Sequence, residues 1–442
     1  MAPLRKTFSS FRMITLCFSA LLFIGAFLLM LPVSSSSGHW TPFLPALFTS
    51  TSAACVTGLV VVDTASSWSF FGQAVILALI QVGGLGVAIL GGMAALVLHR
   101  KLSLAQRTAL QTEISAPGLT GITDLGRFVL LFTAVVEGSG AVLLSFRFVP
   151  QYGLGKGIWM GVFHSVSAFC NAGFDLMGTK GPFSSLTSYA GDPLVTLVIA
   201  FLIIAGGLGF LTWHDMIRRK WEFKDFTLQT KLILSVTLLL LVLPTLYFYF
   251  TEYKGEVPGI RFLASFFQAV TPRTAGFNTM PLDSLSGTSV LVFILLMLIG
   301  GAPSSTAGGM KVTTIALVLL SFSAVLTHKD KPGCFKRSLS KENVNASFII
   351  FLMYILLFMA GGVAICQIDG VSLGKCLFEA ASALGTVGLT LGITPSLSAA
   401  SHIILIILMY IGRVGGITLL YAIYSKSKQH KNYYITENVI VG

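Results

Sequence analysis

FTSTSAACVTGL, Phe48 to Leu59, decides the fold because the chain writes it four times. It returns as FHSVSAFCNAGF from Phe163 to Phe174, as FFQAVTPRTAGF from Phe266 to Phe277, and as FEAASALGTVGL from Phe378 to Leu389. The copies align without gaps, each with a Phe ten residues before a Gly and a Phe or Leu after it. The glycines are Gly58, Gly173, Gly276 and Gly388, at near-regular intervals of just over a hundred residues. A single match would carry no weight in a chain with 45 Gly and 34 Phe. Four matches at the same place in a recurring unit mark an internal repeat.

Each copy lies between two apolar runs long enough for a bilayer, which takes about 20 residues. The runs are Phe11 to Val33 and Phe71 to Leu98, Phe128 to Phe148 and Pro193 to Met216, Leu232 to Phe250 and Ser289 to Leu326, then Phe348 to Ile365 and His402 to Tyr424. With 54% hydrophobic and only 10% charged residues among 442, against roughly a quarter charged in soluble domains, a water-soluble fold is excluded. The expected fold is an all-α membrane protein of eight transmembrane helices, arranged as four parallel helix, re-entrant pore loop, helix repeats around one pore. The expected units are 1–99, 100–217, 218–328 and 329–428, followed by a cytoplasmic tail at 429–442. The first run follows Arg5, Lys6 and Arg12 like a secretory signal. It is longer than the roughly 7–15 apolar residues of such a signal and lacks a small-residue cleavage site, so it is expected to stay as a span.

Lys and Arg gather at the N-terminus, in the loops Arg100 to Arg127, Arg218 to Lys231 and Lys329 to Lys341, and in the tail at Lys426, Lys428 and Lys431. The alternate loops hold only Arg147, Lys156, Lys180, Lys254, Arg261 and Lys375. Cytoplasmic loops retain basic residues, so both termini are expected in the cytoplasm of a multi-pass cell-membrane protein, the inner membrane in a bacterium. The net charge of +12 is then mainly topological, and nucleic acid is not an expected partner; the lipid bilayer is. The six cysteines form no CxxC pair or metal-ligand spacing with the histidines.

Ten residues before each glycine make two to three helical turns, too short to span. They suit a half-helix entering from outside, whose C-terminal end carries partial negative charge and favours a cation. Glycine then reaches backbone conformations closed to other residues, so that carbonyls of four strands can face one axis and replace a cation's hydration shell. Non-helical backbone at this depth is tolerated only when buried in protein or facing water. Asp63, Asp175, Asp283 and Glu379 lie near these strands. They read either as acids concentrating cations at the mouth or as solvated loop residues.

The chain resembles the Trk/Ktr/HKT superfamily of potassium transporters, and within it the bacterial Ktr membrane subunit. The residues that carry the resemblance are VTGLVVVDT at Val56 to Thr64, FCNAGF at Phe169 to Phe174, TPRTAGFN at Thr271 to Asn278 and GTVGLT at Gly385 to Thr390. It implies a selectivity filter with one glycine per repeat. The filter would be Cys55, Val56, Thr57 and Gly58; Cys170, Asn171, Ala172 and Gly173; Arg273, Thr274, Ala275 and Gly276; and Gly385, Thr386, Val387 and Gly388, with K+ on their backbone carbonyls. Related plant proteins that favour sodium have Ser for the first glycine, so Gly58 points to potassium. The resemblance also implies a homodimer with one pore per protomer, resting on a cytoplasmic nucleotide-binding regulatory ring. The basic loops and the tail Gln429 to Gly442 are candidate docking surfaces for that ring.

The third repeat's second run is interrupted by GGAPSSTAGGMK, Gly300 to Lys311. In a helix interior Gly costs about 1 and Pro about 3 kcal/mol, so Gly300, Gly301, Ala302, Pro303, Ser304, Ser305, Thr306, Ala307, Gly308, Gly309 and Lys311 are expected in an intramembrane loop. The resemblance makes that loop a gate beneath the filter; otherwise it is a passive kink. Arg413 interrupts an apolar run at a cost of about 2.5–3.5 kcal/mol, and the resemblance places it under the filter as a barrier. The alternative is an arginine tied to helix ends or carbonyls. Glu137 and Arg273 are expected to be structural, in ion pairs the sequence does not assign. The functional expectation is potassium uptake driven by membrane potential, the alternative a sodium- or proton-coupled symporter with sodium as activator or coupling ion. No GxxxxGK[ST], paired intramembrane acids or HExxH-like ligands stand in the chain, so it is not expected to be an enzyme.

Overall fold

The computed structural model describes residues 3–87, 89–92, 103–114, 118, 121–178, 181–329 and 331–415, with side chains from residue 12 onward except residue 105. The ends of the second apolar run from residue 93 and of the eighth from residue 416, the tail from 429, the basic residues Arg100, Lys101, Lys180, Lys426, Lys428 and Lys431, and the side chains of Arg5 and Lys6 therefore lie outside the described residues.

The described residues are mainly helical, in fifteen principal helices. The first repeat holds α1 (Pro3–Met30), α2 (Phe43–Ala54) and α3 (Phe70–Leu85), with α4 (Leu104–Ile114) after it. The second holds α5 (Ile122–Tyr152), α6 (Leu154–Phe169), α7 (Pro193–Gly207) and α8 (Phe210–Arg218). The third holds α9 (Leu228–Phe250), α10 (Pro258–Val270), α11 (Gly287–Leu298) and α12 (Val312–Leu326). A two-residue hairpin, β1 (Gly333–Cys334) with β2 (Arg337–Ser338), leads to α13 (Lys341–Asp369), α14 (Leu373–Gly385) and α15 (Ala399–Val414).

Twelve of these helices, three to a repeat, fall into three kinds. The first of each set (α1, α5, α9, α13) is long and apolar enough to cross a membrane in one piece. The second (α2, α6, α10, α14) is a buried half-helix. The third starts on a polar N-cap in every repeat: Ser69, Asp192, Ser286 and Ser398 each accept a first-turn N–H. These caps satisfy donors that helix ends leave open, and they place the four elements at equivalent starts.

Each third helix then breaks. Gly86, Gly209 and Gly415 take nearly the same left-handed, extended conformation, with φ of 98°, 86° and 84°. At Gly209 the chain turns by 90° between α7 and α8. Only the break between α11 and α12 was expected from composition. The outer faces are apolar and exposed, for example Leu131, Val135 and Phe146 on α5 and Leu238, Leu239 and Leu243 on α9, a surface suited to acyl chains rather than water. The four repeated segments lie in the core.

Candidate ion pathway

Each half-helix delivers its strand in the same way. The N–H before the ring glycine bonds back to the half-helix: Thr57 to the Ser52 carbonyl (2.8 Å), Ala172 to Ser167 (2.7 Å), Ala275 to Thr271 (3.0 Å) and Val387 to Ser382 (2.8 Å). The hydroxyls of Ser52 and Ser382 accept the N–H of Gly58 and Gly388 at 3.1 and 3.0 Å, whereas Ser167 and Thr271 donate to the carbonyls of Phe174 and Phe277. Every strand has two left-handed residues, the glycine and the residue two before it: Val56 and Gly58, Asn171 and Gly173, Thr274 and Gly276, Thr386 and Gly388. A uniform strand points its carbonyls alternately to either side. Reversing the handedness of every second residue turns them the same way.

The four glycines close a ring. A Cβ on Gly58 would lie 2.5 Å from the Ala172 carbonyl oxygen, on Gly173 2.6 Å from that of Ala275, and on Gly276 2.5 Å from that of Val387. On Gly388 it would run into the Thr57 oxygen. Each repeat thus abuts the next in chain order and the fourth meets the first, with no room for a side chain at any of the four positions.

Below the ring, Gly83, Gly206 and Gly412 press against the ends of the half-helices. A Cβ on each would run into the carbonyl oxygen of Ala54, Phe169 and Leu384 respectively, which all stand four residues before a ring glycine. The structural counterpart of Gly83–Gly84 in the fourth repeat is therefore Gly412–Arg413. Arg413 occupies the position of Gly84 and Gly207. Its guanidinium donates to the carbonyls of Thr306 and Gly83, and to that of Gly84 at 2.9 Å.

Thr306 belongs to the segment between α11 and α12, which folds under the strands. The neck is closed by Gly300 N–H to the Met310 carbonyl (2.8 Å) and Val312 N–H to that of Gly301 (3.0 Å). On one side Ala302 N–H donates to the Gly207 carbonyl (2.9 Å), Phe210 N–H to that of Ser304 (2.7 Å), and the Thr306 hydroxyl to that of Phe169 (2.9 Å). On the other, Gly309 N–H reaches the Gly412 carbonyl (3.2 Å), and Gly308 is packed against the Thr386 side chain. Lys311 folds back onto the Ala307 carbonyl at 2.6 Å. A cavity of about 270 Å³ lies beyond, lined by Gly84, Glu113, Ser305, Lys311 and Arg413 among others.

The family described as "TrkH: Cation transport protein" matches residues 5–433. The chain belongs to the TrkH family of cation transport proteins. It is 39% identical to the Ktr system potassium uptake protein B of Bacillus subtilis, over 95% of this chain and 94% of that one. It is 37% identical to the potassium/sodium uptake protein NtpJ of Enterococcus hirae, over 99% and 98%. Among solved structures, the potassium transporter TrkH from Vibrio parahaemolyticus superimposes with a TM-score of 0.74 at 20% identity, covering 93% of this chain and 83% of that one, which shows the same fold.

Within this TrkH-family chain the outer acids are not an open charged rim. The Asp63 carboxylate caps the turn Thr64–Ser67, accepting from Ser66 N–H (2.9 Å) and hydroxyl (2.7 Å), and also takes the Phe183 N–H (3.1 Å). Asp175 is half-buried and accepts the Met177 N–H at 2.9 Å. Glu379 is buried beneath the hydroxyls of Thr390 and Thr394. Asp283 alone of the four is exposed, in a cavity of about 340 Å³ with Gly276 and Gly388. Arg273 is buried with the Thr237 hydroxyl at 3.4 Å. Neither it nor Glu137 has an ion-pair partner among the described residues. Ser52 and Ser382 were visible as hydroxyls six residues before their glycines, but Val56 carries no signal for the left-handed region.

Proposed function

We propose that the chain takes up potassium through a filter made by the four strands, with the segment Gly300 to Lys311 and Arg413 as its gate. The closed ring of four glycines carries this reading. Carbonyls turned one way on four abutting strands can replace the hydration shell of a cation, at the negative ends of four half-helices. The relatives named for potassium uptake supply the ion. In this reading α1, α5, α9 and α13 cross the bilayer whole and the third helices cross in broken form, making eight spans with both termini cytoplasmic. A potential of 100 mV supplies about 2.3 kcal/mol per charge, enough for roughly a 50-fold gradient.

Uptake into proteoliposomes of potassium, rubidium and sodium tests this, comparing wild type with Gly58→Ser. A side chain there is strained at φ 89° and meets the Ala172 carbonyl, so the preference for potassium over sodium should fall at least about tenfold. Equal permeation of all three ions, unmoved by the substitution, would sink the filter assignment. A second reading, sodium-coupled uptake, is favoured by the potassium/sodium relative; potassium flux that ceases when external sodium is replaced by choline would establish it. We further infer a homodimer on a cytoplasmic nucleotide-binding ring, by likeness to a relative named as a component of a Ktr system, so reconstitution with such a partner is the follow-up if the chain alone is silent.

A further inference from the structure

Glu137 lies midway along α5 and is buried, only 9% exposed. Its carboxylate touches two groups. Gln81 of α3 donates its amide to Oε2 at 3.1 Å, and the Cys170 thiol donates to Oε1 at 3.7 Å. The Cys170 sulfur also lies 3.8 Å from Gln81 Oε1. Cys170 is the first residue of the second strand, so the carboxylate and the amide enclose the point where that strand leaves its half-helix.

The repeat shows what this position needs for packing alone. The Glu137 backbone carbonyl accepts the Ser165 hydroxyl at 2.6 Å, as the Leu22 carbonyl accepts that of Ser50 at 2.7 Å. Gly140 packs on Ser165 and Leu202 as Gly25 packs on Ser50 and Leu79. Glu137 is thus the counterpart of Leu22. A leucine fills the first repeat's site, while the second carries a carboxylate whose burial is costly unless its hydrogen bonds repay it.

We propose that Glu137 is a positioning residue for the second filter strand: with Gln81 it brackets Cys170 and thereby sets the strand's carbonyls and the discrimination between cations. The bracket spans the seam between the first two repeats, since Gln81 belongs to one and Glu137 and Cys170 to the other. A leucine would pack as well and would leave the Cys170 end of the strand without its polar hold.

This rests on the filter reading, so Gly58→Ser is measured alongside. Rubidium tracer uptake, competed by potassium and by sodium, is compared for wild type, Glu137→Leu, Glu137→Asp and Gln81→Leu, with the thermal midpoint of each purified protein. The expected result is a loss of about fivefold in potassium-over-sodium preference for Glu137→Leu and Gln81→Leu, partial recovery in Glu137→Asp, and a thermal midpoint for Glu137→Leu at or above wild type. A variant combining Gln81→Leu with Glu137→Leu, measured in the same way, should lose no more than either single one, because both remove the same bracket. Preferences within twofold of wild type in both leucine variants, while Gly58→Ser shifts its own, would overturn the proposal. If Gly58→Ser shifts nothing, the filter reading falls and this one with it. Should Glu137 variants fail to fold, Gln81→Leu decides alone.

Discussion

Gly83, Gly206 and Gly412 are glycines because a carbonyl oxygen stands where a methyl group would be. Overpacking of a well-filled core costs roughly 1–3 kcal/mol, so Gly83→Ala should lower the thermal midpoint of the detergent-solubilised protein clearly. Gly138→Ala is the matched control, since a Cβ there meets nothing within 4 Å and alanine suits a helix better; it should leave the midpoint unchanged or raised. Equal midpoints for the two would contradict the close approach. The ring glycines were legible because four of them recur at one spacing. The left-handed conformation of Val56, Thr274 and Thr386 was not, since it costs such residues roughly 1–2 kcal/mol and is not advertised by the side chain, whereas Asn171 is of a type that enters that region more readily. Asp63 and Glu379 fit neither of the two readings open to them, and only coordinates reveal the hydroxyl and amide partners that hold them.

Among the elements, the segment from Gly300 to Lys311 is held by several individual hydrogen bonds to the second and fourth repeats, so it can be loosened one bond at a time. Thr306→Val removes the hydroxyl that reaches the Phe169 carbonyl. One such bond contributes about 1 kcal/mol, so uptake should rise by up to roughly fivefold with ion preference unchanged. Arg413→Gln removes a charge and its bonds to three carbonyls, and uptake should rise further, again without a change in preference. A fall in uptake for both variants would mean that the segment supports the pathway and does not obstruct it. This break was legible from its density of Gly, Pro and Ser. The 90° turn at Gly209 was not, because GGLG at Gly206 to Gly209 sits inside the uninterrupted apolar run Pro193 to Met216.

At the scale of the molecule, orientation is open to a direct measurement. In a cysteine-free background, Asp283→Cys should react with a membrane-impermeant maleimide on intact cells, and Lys224→Cys only after permeabilisation; both positions are exposed. The opposite pattern would invert the topology. The apolar segments made a helical fold with apolar outer faces readable, while the contact order around the ring, each repeat against its successor, required coordinates.

Arg413 shows what four joined repeats permit. Its counterparts Gly84 and Gly207 face the same centre, and the one guanidinium already takes carbonyls from the first and third repeats. An assembly of four identical subunits could acquire such an arginine only fourfold, crowding four like charges around a single axis. Fusion into one polypeptide frees each quarter to mutate alone, so a lone charge can be adjusted while the ring beside it keeps its near-symmetry.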